Sequence, residues 1–106
     1  FRVKFDALLG KHIVIGEVAF RDSEYDTPAE GQPSKQYALI RFIVPDRAVP
    51  GEVEGDSMEV AAGEEATTAT GGVRVVQQLK DTGSFPIEVD VAREKTKKGY
   101  QMWVLQ

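Results

Sequence analysis

Four cations and two aromatic side chains lie close together near the end of this sequence: Arg93, Lys95, Lys97 and Lys98, then Tyr100 and Trp103. Cations that track phosphates and flat rings on which bases stack are the two ingredients of single-strand binding, each stacked base contributing roughly 1–3 kcal/mol. Tyr37 and Arg41 add a second aromatic–cation pair, and in an extended chain both fall on one face. These eight residues are the candidate nucleic-acid-binding set. A lysine-rich hairpin tip also serves to protect a sheet edge and keep a chain in solution, and Trp103 divides the two readings. With Tyr100, Met102 and Val104 pointing inward, Trp103 and Leu105 form an exposed apolar pair that marks a contact surface. With the opposite register, the indole is the largest piece of the core.

Catalysis finds fewer components. Cysteine is absent, which removes disulfides, thiolate zinc sites and cysteine nucleophiles. The single histidine, His12, excludes any site that needs two. It opens a β-rich run, and none of Ser23, Ser34, Ser57 or Ser84 lies in a nucleophile-elbow pattern that would pair with it. Asp22 with Glu24, and Glu52 with Glu54 and Asp56, are carboxylates of the kind that hold hard cations or move protons, but neither group has EF-hand spacing. Gly71 and Gly72 are not followed by the Gly-Lys-Ser/Thr that cradles a phosphate. The expectation is a non-enzyme that uses no cofactor and no metal.

The elements that must position the eight residues are mostly strands. Lys11 to Phe20 is rich in β-branched and aromatic residues, with Val14, Val18 and Phe20 on one face of an extended chain and Ile13, Ile15 and Glu17 on the other. Gly16 in its middle marks a bend or bulge. Gln36 to Val44 alternates Ala38, Ile40, Phe42 and Val44 against Tyr37, Leu39, Arg41 and Ile43, a second strand, and the polar, proline-containing residues 21–35 form the long loop between the two. From Ala48 to Gly72 there are six acidic residues and no Lys or Arg, a local charge of −6. Only Ser57 to Ala62 reads there as a short strand, so residues 48–72 are expected to be acidic and loop-rich. Val73, Val76 and Leu79 fit one side of a short helix, a strand over Val73 to Val76 being the competing reading. Ile87, Val89 and Val91 alternate with Glu88, Asp90 and Ala92, Lys95 to Gly99 makes a tight turn, and Tyr100 to Gln106 returns as the last strand.

This order resembles a five-stranded oligonucleotide/oligosaccharide-binding (OB) barrel with one short helix between its third and fourth strands. Ile15 to Gly31 is similar to the first strand and following loop of bacterial single-stranded-DNA-binding proteins, and Leu79 to Gln106 to their helix end, glycine turn and basic-tipped final hairpin. The two stretches cover about half the chain, and the acidic middle departs from the family's long, aromatic-bearing third strand. The resemblance implies a mainly β fold and a non-catalytic module for single-stranded nucleic acid, as used in DNA replication.

The whole chain bounds these readings. Its 106 residues, 42% hydrophobic and 28% charged, suit one OB-like domain spanning residues 1–106. No apolar run approaches the roughly 18 residues of a membrane span, so a soluble protein without a membrane partner, cytoplasmic or virus-associated, is expected. The sequence opens on Phe1 rather than Met, and its start is expected to be trimmed, processed or incompletely represented. A net charge of −4 is too small for a DNA mimic and of the wrong sign for a simple nucleic-acid clamp. The acidic stretch therefore keeps a second class open: a protein–protein assembly or virion-associated subunit, including a homo-oligomer, in which nucleic acid plays no part.

Overall fold

The computed structural model describes residues 1–22 and 36–106. After a short 3-10 helix, Phe5–Leu8, come β1 (His12–Asp22), β2 (Gln36–Ile43), β3 (Val49–Val53), β4 (Asp56–Val60), β5 (Glu65–Thr70), α1 (Val73–Asp81), β6 (Ile87–Lys95) and β7 (Gln101–Leu105). The fold is mainly β. Five strands make one curled antiparallel sheet in the order β5-β2-β1-β6-β7, and β3 and β4 make a separate hairpin. With that hairpin set aside, β6 lies beside β1 after a helical crossover from β5, which is the 4-1-2-3 arrangement of a Greek key, extended by β7.

Two expectations are corrected. The helix follows β5 and does not sit between the third and fourth strands, because the stretch 48–72 contributes three strands where the sequence showed one. Acidic residues conceal them. In β3 and β4 only Val49, Gly51 and Val60 are buried, so most of the hairpin is hydrophilic and its alternation is weak. Glu54 and Gly55 turn it with φ of 51° and 86°, the pair of left-handed residues that a two-residue hairpin loop requires. The polar segment between β1 and β2 falls at residues 23–35, outside the described residues.

Gly16 does mark a bulge. The β1–β2 register shifts between Ile15 and Glu17, so that Ile15 pairs with Phe42 but Val18 pairs with Ile40. The extra residue moves the inward set from odd to even positions. As a result Ile13, Ile15, Val18 and Phe20 all pack on one core, while Val14 shares the opposite face with Ile43 and Glu88. On β2 the inward residues are Ala38, Ile40 and Phe42, all buried. In α1 the buried residues are Val75, Val76 and Leu79, and Val73 is 77% exposed at the helix start. Val73 is thus corrected from the apolar side of the helix to its solvent side.

β6 bends the sheet. Its first half, Ile87 to Asp90, pairs with β1, and its second half, Val91 to Lys95, pairs with β7. The β6–β7 ribbon therefore extends past the core. The gap between β5 and β7 is filled from the N-terminal side. Val3 donates a backbone hydrogen bond to Thr67 of β5, while Arg2 exchanges two with Glu52 of β3, at 2.9 and 2.8 Å. Phe5 then packs on Trp103 of β7. No helix among the described residues is long and apolar enough to cross a membrane.

Candidate nucleic-acid interface

Arg93 and Trp103 are cross-strand partners on the β6–β7 ribbon, on the same side as the buried pair Val91 and Leu105. The indole meets the edge of the Phe5 ring at a centroid distance of 4.9 Å and an interplanar angle of 64°, and the Arg93 guanidinium sits 4.3 Å above its centre. Trp103 is half-buried against the core. Of the two registers open in the sequence, this is the one that turns Trp103 and Leu105 toward the core, and no outward Trp-Leu pair exists. A base would meet the outer plane of the Arg93 guanidinium, a surface on which bases also stack.

Lys95, Lys97, Lys98 and Tyr100 form the tip. Thr96 holds the turn: its N–H donates to the Tyr100 carbonyl at 2.7 Å, its carbonyl accepts from Gly99 at 2.9 Å and its hydroxyl accepts from the Tyr100 N–H at 3.2 Å. Gly99 takes φ of 86°, a left-handed position that glycine fills without steric cost. All four tip side chains are exposed, Tyr100 at 72%. None of the three lysines forms an ion pair among the described residues.

Tyr37 and Arg41 lie elsewhere. They occupy the outward face of β2, opposite to buried Ile40 and Phe42, and so do not share a surface with the core-facing Trp103. Tyr37 is half-buried and pairs with Arg21. Arg41 is held between two carboxylates, Glu17 at 2.8 Å and Glu65 at 3.5 Å. Such exposed pairs add little stability, but they compensate the charge that would attract a phosphate. Beside them lies a shallow groove of about 280 Å³ with Ala19 and Leu39 on its floor. The eight sequence-level residues thus divide into a ribbon group of six and a sheet-face group of two.

Comparisons with protein-family models, curated proteins and solved structures return no match.

His12 stands on the same outward face. Its Nδ1 is 2.8 Å from Asp90 and its Nε2 is 3.6 Å from Glu88, and the Asp90 hydrogen bond raises the imidazole pKa above 6.5, with Glu88 adding to the effect. The two carboxylates of β6 and those beside Arg41 make this face locally acidic, in contrast to the ribbon tip. No group of three or more His, Asp or Glu side chains among the described residues is arranged to hold a metal ion.

Two cations were missed in the sequence reading. Arg2 and Lys4 line a groove of about 400 Å³ together with Phe5, Asp6, Glu52 and Ala69. The alternation of Arg2 and Lys4 with buried Val3 and Phe5 is a strand pattern and was the available signal.

Proposed function

We propose that this chain is a non-catalytic module that binds single-stranded nucleic acid through the end of its β6–β7 ribbon. The observation that carries the reading is the tip itself, where Lys95, Lys97 and Lys98 form no ion pair among the described residues and stand beside the exposed ring of Tyr100. The strands support it in kind. With β3–β4 counted as an insertion, the sheet order β5-β2-β1-β6-β7 is compatible with the strand order of an OB barrel, in which the ribbon tip would be the loop joining the last two strands. That loop is one of those with which OB barrels grip oligonucleotides. In this reading the lysines neutralise phosphates, Tyr100 stacks a base, and Arg93 on Trp103 offers a second flat surface.

Fluorescence anisotropy of a labelled oligothymidine tests the reading. Three phosphates neutralised by the lysines give a slope of log affinity against log salt of about −2, at about −0.7 per phosphate for single strands. Tyr100→Ala should weaken binding by about 1–3 kcal/mol without changing that slope, and Lys97→Ala with Lys98→Ala should flatten it by about one to two. Tyr100 is the preferred probe because Trp103→Ala would also disturb the contact with Phe5. Absence of binding at low salt ends the proposal.

A further inference from the structure

Two hairpins of this protein carry opposite charge. β3–β4 carries Glu52, Glu54, Asp56 and Glu59 with no Lys or Arg, whereas residues 93–98 hold Arg93, Lys95, Lys97 and Lys98 against the single acid Glu94. None of those four β3–β4 carboxylates forms an ion pair among the described residues, and neither do the tip lysines. On the outward face of the sheet, by contrast, Arg41 meets Glu17 and Glu65.

The acidic hairpin also presents an open edge. Val53 and Asp56 flank its two-residue turn as a hydrogen-bonded pair, and alternation along an antiparallel ladder then turns the backbone groups of Glu52 on β3, and of Ser57 and Glu59 on β4, away from the partner strand. Arg2 takes those of Glu52. Those of Ser57 and Glu59 have no backbone partner among the described residues. Such a row is a ready template for another strand.

The basic ribbon offers a matching row. Asp90 and Gln106 exchange both backbone bonds, and Thr96 bonds Tyr100, so the bonded positions of β6 are the even ones. The backbone groups of Arg93 and Lys95 therefore face away from β7, on a side where β1 pairs only as far as Asp90. Two free positions, two residues apart, occur on each hairpin.

We propose that a second copy of this chain adds the β6 side of its ribbon to β4 in antiparallel fashion, Arg93 opposite Glu59 and Lys95 opposite Ser57. This register also brings Lys98 beside Glu54. The edge supplies backbone hydrogen bonds, and the charges choose the partner, since the acidic edge repels its own kind and attracts the ribbon. The contact joins two different surfaces, so each bound copy still offers one of each, and association proceeds head to tail into rings or open chains. Screening by salt should weaken it. The inference does not depend on nucleic-acid binding, although both would use the same tip.

Sedimentation equilibrium of the full chain over a concentration series tests it. The expected result at low salt is a mean mass that rises above the monomer with concentration and falls back at high salt. Glu54→Lys with Glu59→Lys should give a monomer, as should Lys95→Glu with Lys98→Glu. An equimolar mixture of these two variants should regain association as far as a one-to-one pair, because the first keeps the native basic ribbon and the second keeps the native acidic edge. Ser57→Pro, which removes an outward N–H and no bond to β3, should also be monomeric, with unchanged circular dichroism. A wild type that stays monomeric throughout, association that survives either charge reversal, or a mixture that does not associate would overturn the proposal.

Discussion

The side-chain amide of Gln78 in α1 forms hydrogen bonds with both backbone groups of Leu105 in β7, its Nε2 donating to the carbonyl and its Oε1 accepting from the N–H, each at 2.9 Å. Leu105 lies at the outer edge of the sheet, where no strand among the described residues follows β7. A glutamine amide carries one donor side and one acceptor side, the same complement as a peptide group. Gln78 thus does for one residue what a sixth strand would do, and it ties the helix to the strand that holds Trp103.

Replacing Gln78 should expose the value of that arrangement. Gln78→Leu leaves two part-buried backbone groups without partners and is expected to destabilise the fold by about 1–3 kcal/mol. Urea unfolding followed by Trp103 fluorescence measures it, and an unchanged midpoint would show that water replaces the amide at no cost.

Gly51 allows the N-terminal segment to approach β3. A Cβ at this position would lie 2.7 Å from Val60 Cγ2 and 3.2 Å from the Arg2 carbonyl oxygen. Gly51→Ala is expected to cost about 1–3 kcal/mol through overpacking. It should also speed amide exchange at Arg2 and Glu52, whose N–H groups form the seam between hairpin and sheet. Hydrogen exchange read by NMR separates this local loosening from a uniform loss of stability.

Thr68 of β5 faces inward opposite Ile40, and its hydroxyl is buried without a hydrogen-bond partner among the described residues. Valine has nearly the same shape and no hydroxyl. Thr68→Val should therefore stabilise the protein by about 1 kcal/mol, seen as a higher denaturation midpoint with the same denaturant slope. A lower midpoint would mean that the hydroxyl has a partner such as an ordered water.

His12 predicts a pH dependence. Because its pKa is raised above 6.5 in the fold, chiefly by the Asp90 hydrogen bond, its stabilising contribution is fully present below 6.5 and fades as pH rises through the higher folded value. Thermal melts of the wild type and His12→Gln should differ most below pH 6.5 and converge above the folded pKa. A constant difference across pH would assign the effect of His12 to packing.

Much of the fold was legible because burial here follows a period of two. Ala38, Ile40 and Phe42 in β2, and Ile87, Val89 and Val91 in β6, alternate with polar or outward residues, and that pattern alone placed the inner and outer faces and the terminal hairpin. Ser57 to Ala62 showed most of β4, but β3 and β5 were not legible for the converse reason. Their inward positions include Gly51, Thr68 and Thr70, which are small or polar and are buried because other parts of the chain come to cover them. In the candidate site, the exposed lysines and Tyr100 were identifiable from composition and turn chemistry.

By itself, then, the sequence determined that strands dominate, that Gly16 interrupts the first of them, and that cations gather at the turn of the last hairpin, since each of these depends only on neighbours along the chain. Tertiary structure decided the rest. The bulge at Gly16 brought Ile13 and Ile15 onto the same side as Val18 and Phe20, Phe5 came to the edge of Trp103 from the far end of the chain, and Glu17 and Glu65 claimed Arg41 from two different strands. Contacts between residues so distant in sequence exist only when the sheet curls, so no local pattern carries them.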